Sequence, residues 1–227
     1  MFTYLKCDCQ KPSTIPYIIS IEGNIGAGKT SMMEYFKKFK NVQLSMEPLE
    51  TYQNVGNGNA NLLQMFYTNP ARWAFAFHMF VYKQLLQNQL ILMNNSITPI
   101  KIMDRTILTV GNVFIEAALA NGQLLPVEYD IFKEWYQITS WQINQPNLII
   151  YLQTTPEIAF ERIQRRNRPE EKAITLDYIK QIHDLHENWL IAKKYDNGPI
   201  ILTLDANLSK EEIQQNYEAS TPAPTMK

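Results

Sequence analysis

Eight consecutive residues, Gly23-Asn24-Ile25-Gly26-Ala27-Gly28-Lys29-Thr30, match G-x-x-x-x-G-K-[ST] at every fixed position. The glycines let a backbone wrap closely and aim successive N–H groups at one point, which suits the oxygens of a phosphate. The lysine brings a cation to the outer phosphates of a nucleotide, and the threonine hydroxyl is a hard oxygen ligand for Mg²⁺. A β-branched apolar run, Ile18-Ile19-Ser20-Ile21, precedes the motif, and Met32, Met33, Phe36 and Phe39 recur after it at helical spacing. Strand, glycine turn, helix is the context the motif needs, because the helix N-terminus adds its own positive pole. The bland alternative is a glycine-rich turn that holds nothing.

A loop of this kind serves kinases, GTPases and motor ATPases alike, so the other charged groups must decide. Glu47-Pro48 follows a strand candidate at Val42–Met46. The proline stops the strand and leaves the carboxylate at its end, where it can orient a hydroxyl and take its proton. Asp104-Arg105 follows a third strand candidate at Ile100–Met103. An aspartate there suits a hydrated Mg²⁺ and an arginine suits an acceptor oxygen or a phosphate. Arg162, Arg165, Arg166 and Arg168 end a later helical stretch, where a mobile segment could close over a transferring phosphoryl group. Each has a plainer reading: a solvated glutamate, a strand-end ion pair, and basic residues suiting a helix C-terminus.

Stepping outward, Leu148–Leu152 and Ile200–Leu204 complete five strand candidates. Helical patterns cover 71–93, 107–120, 127–144 and 176–194. Thr155-Pro156-Glu157 has the form of an N-cap, a proline at the first helical position and an acid in the first turn. Ser209-Lys210-Glu211-Glu212 has the form of a capping box for a last helix. Gln53–Asn61 reads as an Asn/Gly-rich loop. Alternating strands and helices predict an α/β fold, a five-stranded parallel sheet with helices on both faces and an arginine-rich lid. Residues 1–16 read as a flexible arm, 17–219 as one phosphate-loop domain, and 220–227 as a disordered tail.

Bulk properties narrow the partners. With 21 basic and 22 acidic side chains the net charge is −1, so no global field gathers nucleic acid or an anionic membrane. No apolar run reaches the roughly 20 residues that span a bilayer. Cys7 and Cys9 are too few for a closed zinc site and too close for an unstrained bridge. They read as free thiols. With no secretory or transit signature, the setting predicted is reducing and cytoplasmic.

Taken in order, the stretches GNIGAGKT, MEPLETY, NLLQMFYTNPARWAFAFH, IMDRTIL, KEWYQ, LIIYLQTTPEIAFERI and LHENWLI resemble the deoxynucleoside kinase family, nearest its insect multisubstrate and mitochondrial thymidine branch. The likeness runs from about Tyr17 to Asp205. It implies ATP as phosphate donor with Mg²⁺, the 5′-hydroxyl of a deoxynucleoside as acceptor, and a homodimer formed through long helices, for which 71–93 and 107–120 are candidates. It implies Glu47 as the base, Arg105 on the acceptor oxygen, and Asp104 assisting Mg²⁺ with Thr30. Tyr67 and Glu171 would bind the sugar 3′-hydroxyl and Phe114 would stack on the base. Arg166 and Arg168 would contact phosphates from the lid. Tyr52 stands where the family usually has a tryptophan beside the base.

The chain departs from the family pattern at His78, in place of a base-pairing glutamine, and at Gly111, in place of a usual arginine. Val110 sits where side-chain size bears on purine against pyrimidine, and Asp104 replaces a usual glutamate. These leave base preference open, with a lean to thymidine and deoxycytidine. The nearest rival is a thymidylate-type monophosphate kinase, but Met46 and Leu49-Glu50 flank Glu47-Pro48 where that family places an arginine and glycines. A silent nucleotide-binding regulator would not need Lys29, Glu47 and Arg105 together. His183 and His186 read as a solvated helix face.

Overall fold

The computed structural model describes residues 16–94, 98–140, 143–192, 198–208 and 212. Cys7, Cys9, the 209–212 capping box as a whole, most of the arm and the tail lie outside the described residues. Five parallel strands, β1 (Tyr17–Gly23), β2 (Val42–Ser45), β3 (Ile100–Asp104), β4 (Leu148–Gln153) and β5 (Ile200–Asp205), form one sheet in the order β2-β3-β1-β4-β5. The order reverses direction at β1. In open parallel sheets the crevice beyond the carboxyl ends at such a point is where ligands bind. Gly23, Ser45 and Asp104 end β1, β2 and β3 there, so the phosphate loop, Glu47 and Arg105 are delivered to one edge.

Side chains alternate across the sheet. Ile21, Ile102, Ile150 and Leu152 pack on Met32 and Met33 of the helix Lys29–Phe36 on one face. Ile18 and Met103 pack on Leu92 on the other, as Ile149 and Tyr151 pack on Val113, Ile182 and Trp189. Helices therefore cover both faces, as the sequence predicts. The long helix Pro70–Asn94 starts on Asn69, whose Oδ1 accepts the Arg72 N–H at 3.3 Å, followed by proline at the first helical position.

Several expectations are corrected. Thr155 occupies the N-cap position but its side chain makes no capping bond; its own N–H donates instead to Asn207 Oδ1 at 2.8 Å. The segment Gln53–Asn61 keeps its loop character, with a tight turn at Gly56 and Asn57 between the short helices Leu49–Gln53 and Leu62–Thr68. The 107–120 helix contains a π-helical turn, Val110–Phe114. Its apolar residues Ile107, Val110, Val113, Ile115, Ala117 and Ala118 are buried in the core. Exposed apolar residues include Leu90 and Ile91 on Pro70–Asn94, and Val127, Ile131, Trp135 and Ile138, which make one stripe at helical spacing on Pro126–Ser140. His186 is fully buried rather than solvated, with Nδ1 against the Ile182 carbonyl at 2.7 Å and its ring stacked on Tyr151. Among the described residues no helix is long and apolar enough to cross a membrane.

Candidate active site

The phosphate loop follows directly from β1. Gly26 has φ 82°, and a Cβ there would lie 2.4 Å from the Ala159 carbonyl oxygen, so only glycine allows the loop to pack against the helix Pro156–Arg166. Asn24 pins the loop from inside: Nδ2 donates to the Ile179 carbonyl at 2.9 Å and Oδ1 accepts from the Ile25 N–H at 2.8 Å. Lys29 Nζ donates to the carbonyls of Gly23 at 3.0 Å and Asn24 at 2.7 Å. Burial, with Arg105 nearby, presses its pKa down, so an anion facing Lys29 would relieve a strained charge.

Across the crevice Arg105 Nη1 donates to Glu47 Oε2 at 2.8 Å, and Nη2 donates to the Gly23 carbonyl at 3.3 Å. Arg105 has φ 64°, a left-handed backbone that costs a non-glycine residue about 1–2 kcal/mol and persists only where surroundings impose it. Its neighbour Asp104 is buried, Oδ1 makes no hydrogen bond among the described residues, and burial pushes the carboxyl up. Glu47, at 26% side-chain exposure, is the member of this pair that remains open to the cleft.

A cleft of about 1040 Å³ joins these groups. Its outer end runs from the phosphate loop past Arg162, Arg165, Arg166 and Arg168 to Ala206, Asn207 and Leu208. Its inner end is lined by Tyr52, Leu63, Phe66, Phe77, His78, Val81 and Phe114. Phe66 stacks on Phe77 with centroids 4.5 Å apart, and Phe114 lies over His78 at 6.4 Å and under the Arg105 guanidinium at 5.2 Å. The inner end is therefore a flat aromatic slot holding two buried polar atoms, Tyr52 Oη and His78 Nε2, that have no hydrogen-bond partner among the described residues. Burial drives His78 down to about pKa 3, so its imidazole is neutral, with one donor and one acceptor nitrogen.

Between the two ends, Glu171 is buried and held by Arg166 at 2.7 Å and Arg168 at 3.3 Å, and Tyr67 lines the same stretch. The two arginines expected on phosphates are thus brought to the glutamate expected on the sugar. Every site residue read from the sequence lines this one cleft except Gly23 and Asn24, which underlie it.

Sequence reasoning placed Arg162 in the arginine cluster without its contacts, and missed two residues, Glu170 and Glu22. Arg162 Nη1 and Nη2 donate to the carbonyls of Ala206 at 2.9 Å and Leu208 at 2.8 Å, shaping the outer mouth. Glu170 accepts from Gln53 and Asn61, each at 2.9 Å, which ties the turn after the arginines to the segment before Leu62. Glu22 is fully buried, and its signal was an acid at the end of an apolar strand run. Gly111, noted for its missing side chain, faces the Tyr136 ring, which fills the space where a Cβ would stand.

Residues 19–220 match the family model described as deoxynucleoside kinase. The chain belongs to the deoxynucleoside kinase family. Its relatives include human mitochondrial thymidine kinase 2, 30% identical over 206 residues that cover 88% of this chain and 75% of that protein. Chicken deoxycytidine kinase 2 is 31% identical, covering 88% and 86%. Mitochondrial deoxyguanosine kinase of Xenopus laevis is 28% identical, covering 89% and 84%. The protein is accordingly an ATP-dependent phosphotransferase with a deoxynucleoside acceptor, on a phosphate-loop kinase fold. The rival monophosphate kinase reading falls away with that membership.

Proposed function

We propose that this kinase phosphorylates pyrimidine deoxynucleosides, thymidine and deoxycytidine, at the 5′-hydroxyl. The observation that carries the reading is the Glu47–Arg105 pair at 2.8 Å, set between the phosphate loop and the aromatic slot. The loop from Gly23 to Thr30 cradles the phosphates of ATP with its backbone N–H groups and Lys29. Arg162 and the 206–208 segment frame the donor base.

The deoxynucleoside enters base first. Phe114 stacks on the base, Tyr52 and His78 supply the polar contacts of the slot, and Tyr67 and Glu171 hold the 3′-hydroxyl. Arg105 steadies the 5′-oxygen, and Glu47 takes its proton as that oxygen bonds to the γ-phosphorus. The bond from the γ-phosphorus to the bridging oxygen breaks, leaving ADP. Arg166 and Arg168, on donating to a γ-phosphate, would exchange Glu171 for it and leave that carboxylate to the sugar. The unpartnered Asp104 oxygen and the Thr30 hydroxyl are hard donors that fit a hydrated Mg²⁺. When bound, that ion neutralises charge on the β- and γ-phosphates.

The slot supports a single-ring base, because Tyr52, Phe66, Phe77 and Val81 crowd it. A neutral His78 suits either pyrimidine: one nitrogen accepts from the N3–H of thymine, and the other tautomer donates to N3 of cytosine. The exposed stripe of Val127, Ile131, Trp135 and Ile138 is the face through which we place a homodimer. The test is phosphoryl transfer from ATP–Mg to each of the four natural deoxynucleosides, with thymidine 5′-monophosphate as a fifth acceptor. Product from thymidine and deoxycytidine is expected. Purine nucleosides as better substrates would overturn the base assignment, and transfer to the monophosphate alone would overturn the acceptor chemistry.

A further inference from the structure

Glu22 is the one charged residue of β1, and its carboxylate is fully buried beneath the phosphate loop. It accepts from the Ser20 hydroxyl, from Thr109 Oγ1 at 2.5 Å and from Thr106 Oγ1 at 3.4 Å. Those three hydroxyls are buried as well. Among the described residues no cation reaches it within hydrogen-bonding distance; Lys29 and Arg105 act on it only through space. Burial pushes its pKa up to about 7, the mark of an acid kept in a costly place. An apolar side chain would complete the strand at lower cost, so packing does not explain a carboxylate here.

The positions of the hydroxyls do explain it. Thr106 directly follows Arg105 and caps the next helix, accepting from the Leu108 N–H at 3.2 Å; Thr109 lies in the first turn of that helix. The left-handed backbone of Arg105 is thereby held from two sides. Its own N–H donates to the Ile21 carbonyl at 3.1 Å, and the residues after it are tied to Glu22. We propose that Glu22 is a positioning residue, which through Thr106 and Thr109 fixes the turn after β3 so that Arg105 meets the acceptor oxygen beside Glu47. It touches no substrate. It links the strand that leads into the donor loop to the turn that presents the acceptor arginine.

This inference rests on the role given to Arg105 above, and the experiment separates the two. Glu22→Gln, Thr109→Val, Thr109→Ser, Arg105→Lys and the Glu22→Gln/Thr109→Val double variant are compared in kcat and nucleoside KM. Each kcat is expressed per ATP-binding site counted by calorimetry, so that loss of folded protein is not read as loss of turnover. Valine keeps the shape of threonine and removes only the hydroxyl; serine keeps the hydroxyl. Glu22→Gln and Thr109→Val are each expected to lower kcat about tenfold with KM within twofold. Thr109→Ser should keep at least half of the wild-type kcat, and the double variant should be no slower than the slower single, as for two groups in one linkage. Should Glu22→Gln not fold, Thr109→Val against Thr109→Ser carries the test alone. Full kcat in Thr109→Val, or losses that multiply in the double variant, would overturn the role of Glu22 while Arg105→Lys remains impaired. Full kcat in Arg105→Lys would overturn the acceptor role of Arg105 and this inference with it.

Discussion

His78 should make the kinase lose stability in mild acid, and replacing it by glutamine should remove a defined part of that loss. The imidazole is 3% exposed, its Nε2 has no partner among the described residues, and burial lowers its pKa from 6.5 to about 3. Between those values the unfolded chain binds a proton at this position that the folded chain refuses. Stability therefore falls as pH drops below 6.5, and the fall levels off only near pH 3. At 1.36 kcal/mol per pH unit, the 1.5 units from 6.5 to 5.0 amount to about 2 kcal/mol. His186, also fully buried and lowered to about 3, adds a similar slope. The raised carboxyls of Glu22 and Asp104 have the opposite sign, since the folded state holds their protons at a pH where the unfolded state has released them. All three are common to both proteins and cancel in the difference. Urea unfolding of wild type and His78→Gln at pH 7.5 and 5.0 should show the wild type losing about 2 kcal/mol more over that interval. Parallel losses would refute a buried, neutral His78. The same neutrality makes the thymidine to deoxycytidine ratio of kcat/KM flat from pH 6 to 8.

Glu47→Gln should lower kcat by roughly 10²–10⁴ while ATP affinity, read by calorimetry, stays within a few-fold; unchanged turnover would remove Glu47 as the base. Gly111→Ala places a Cβ 2.4 Å from the Tyr136 ring and should cost about 1–3 kcal/mol in urea unfolding, so this position cannot accept the family's arginine without moving Tyr136. Trp135→Glu puts a charge in the exposed apolar stripe of Pro126–Ser140; on the homodimer proposed above, light scattering should report a dimer for the wild type and a monomer for this variant.

The strands and the phosphate loop were legible in the sequence because their causes are local. A β-branched run, three glycines at fixed offsets and a following apolar periodicity act over a dozen residues, and β1 with the helix Lys29–Phe36 stands where they predict. Glu47 and Arg105 were legible because a parallel sheet delivers its strand ends to one edge. What tertiary structure alone decided is what each group faces once delivered. Arg166 and Arg168 meet Glu171, five and three residues away along the chain, because a short 3₁₀ turn at Pro169–Ala173 folds that acid back and buries it. The left-handed backbone of Arg105 has no signature in its own residue type, since it is imposed by contacts with β1. Gly111 read as a missing side chain, yet its space is taken by Tyr136, twenty-five residues further on in a helix whose packing no local pattern specifies. Residue types and spacing determined which chemistry this chain can perform; burial and long-range packing determined which of its charges are held, which are free, and which are neutral.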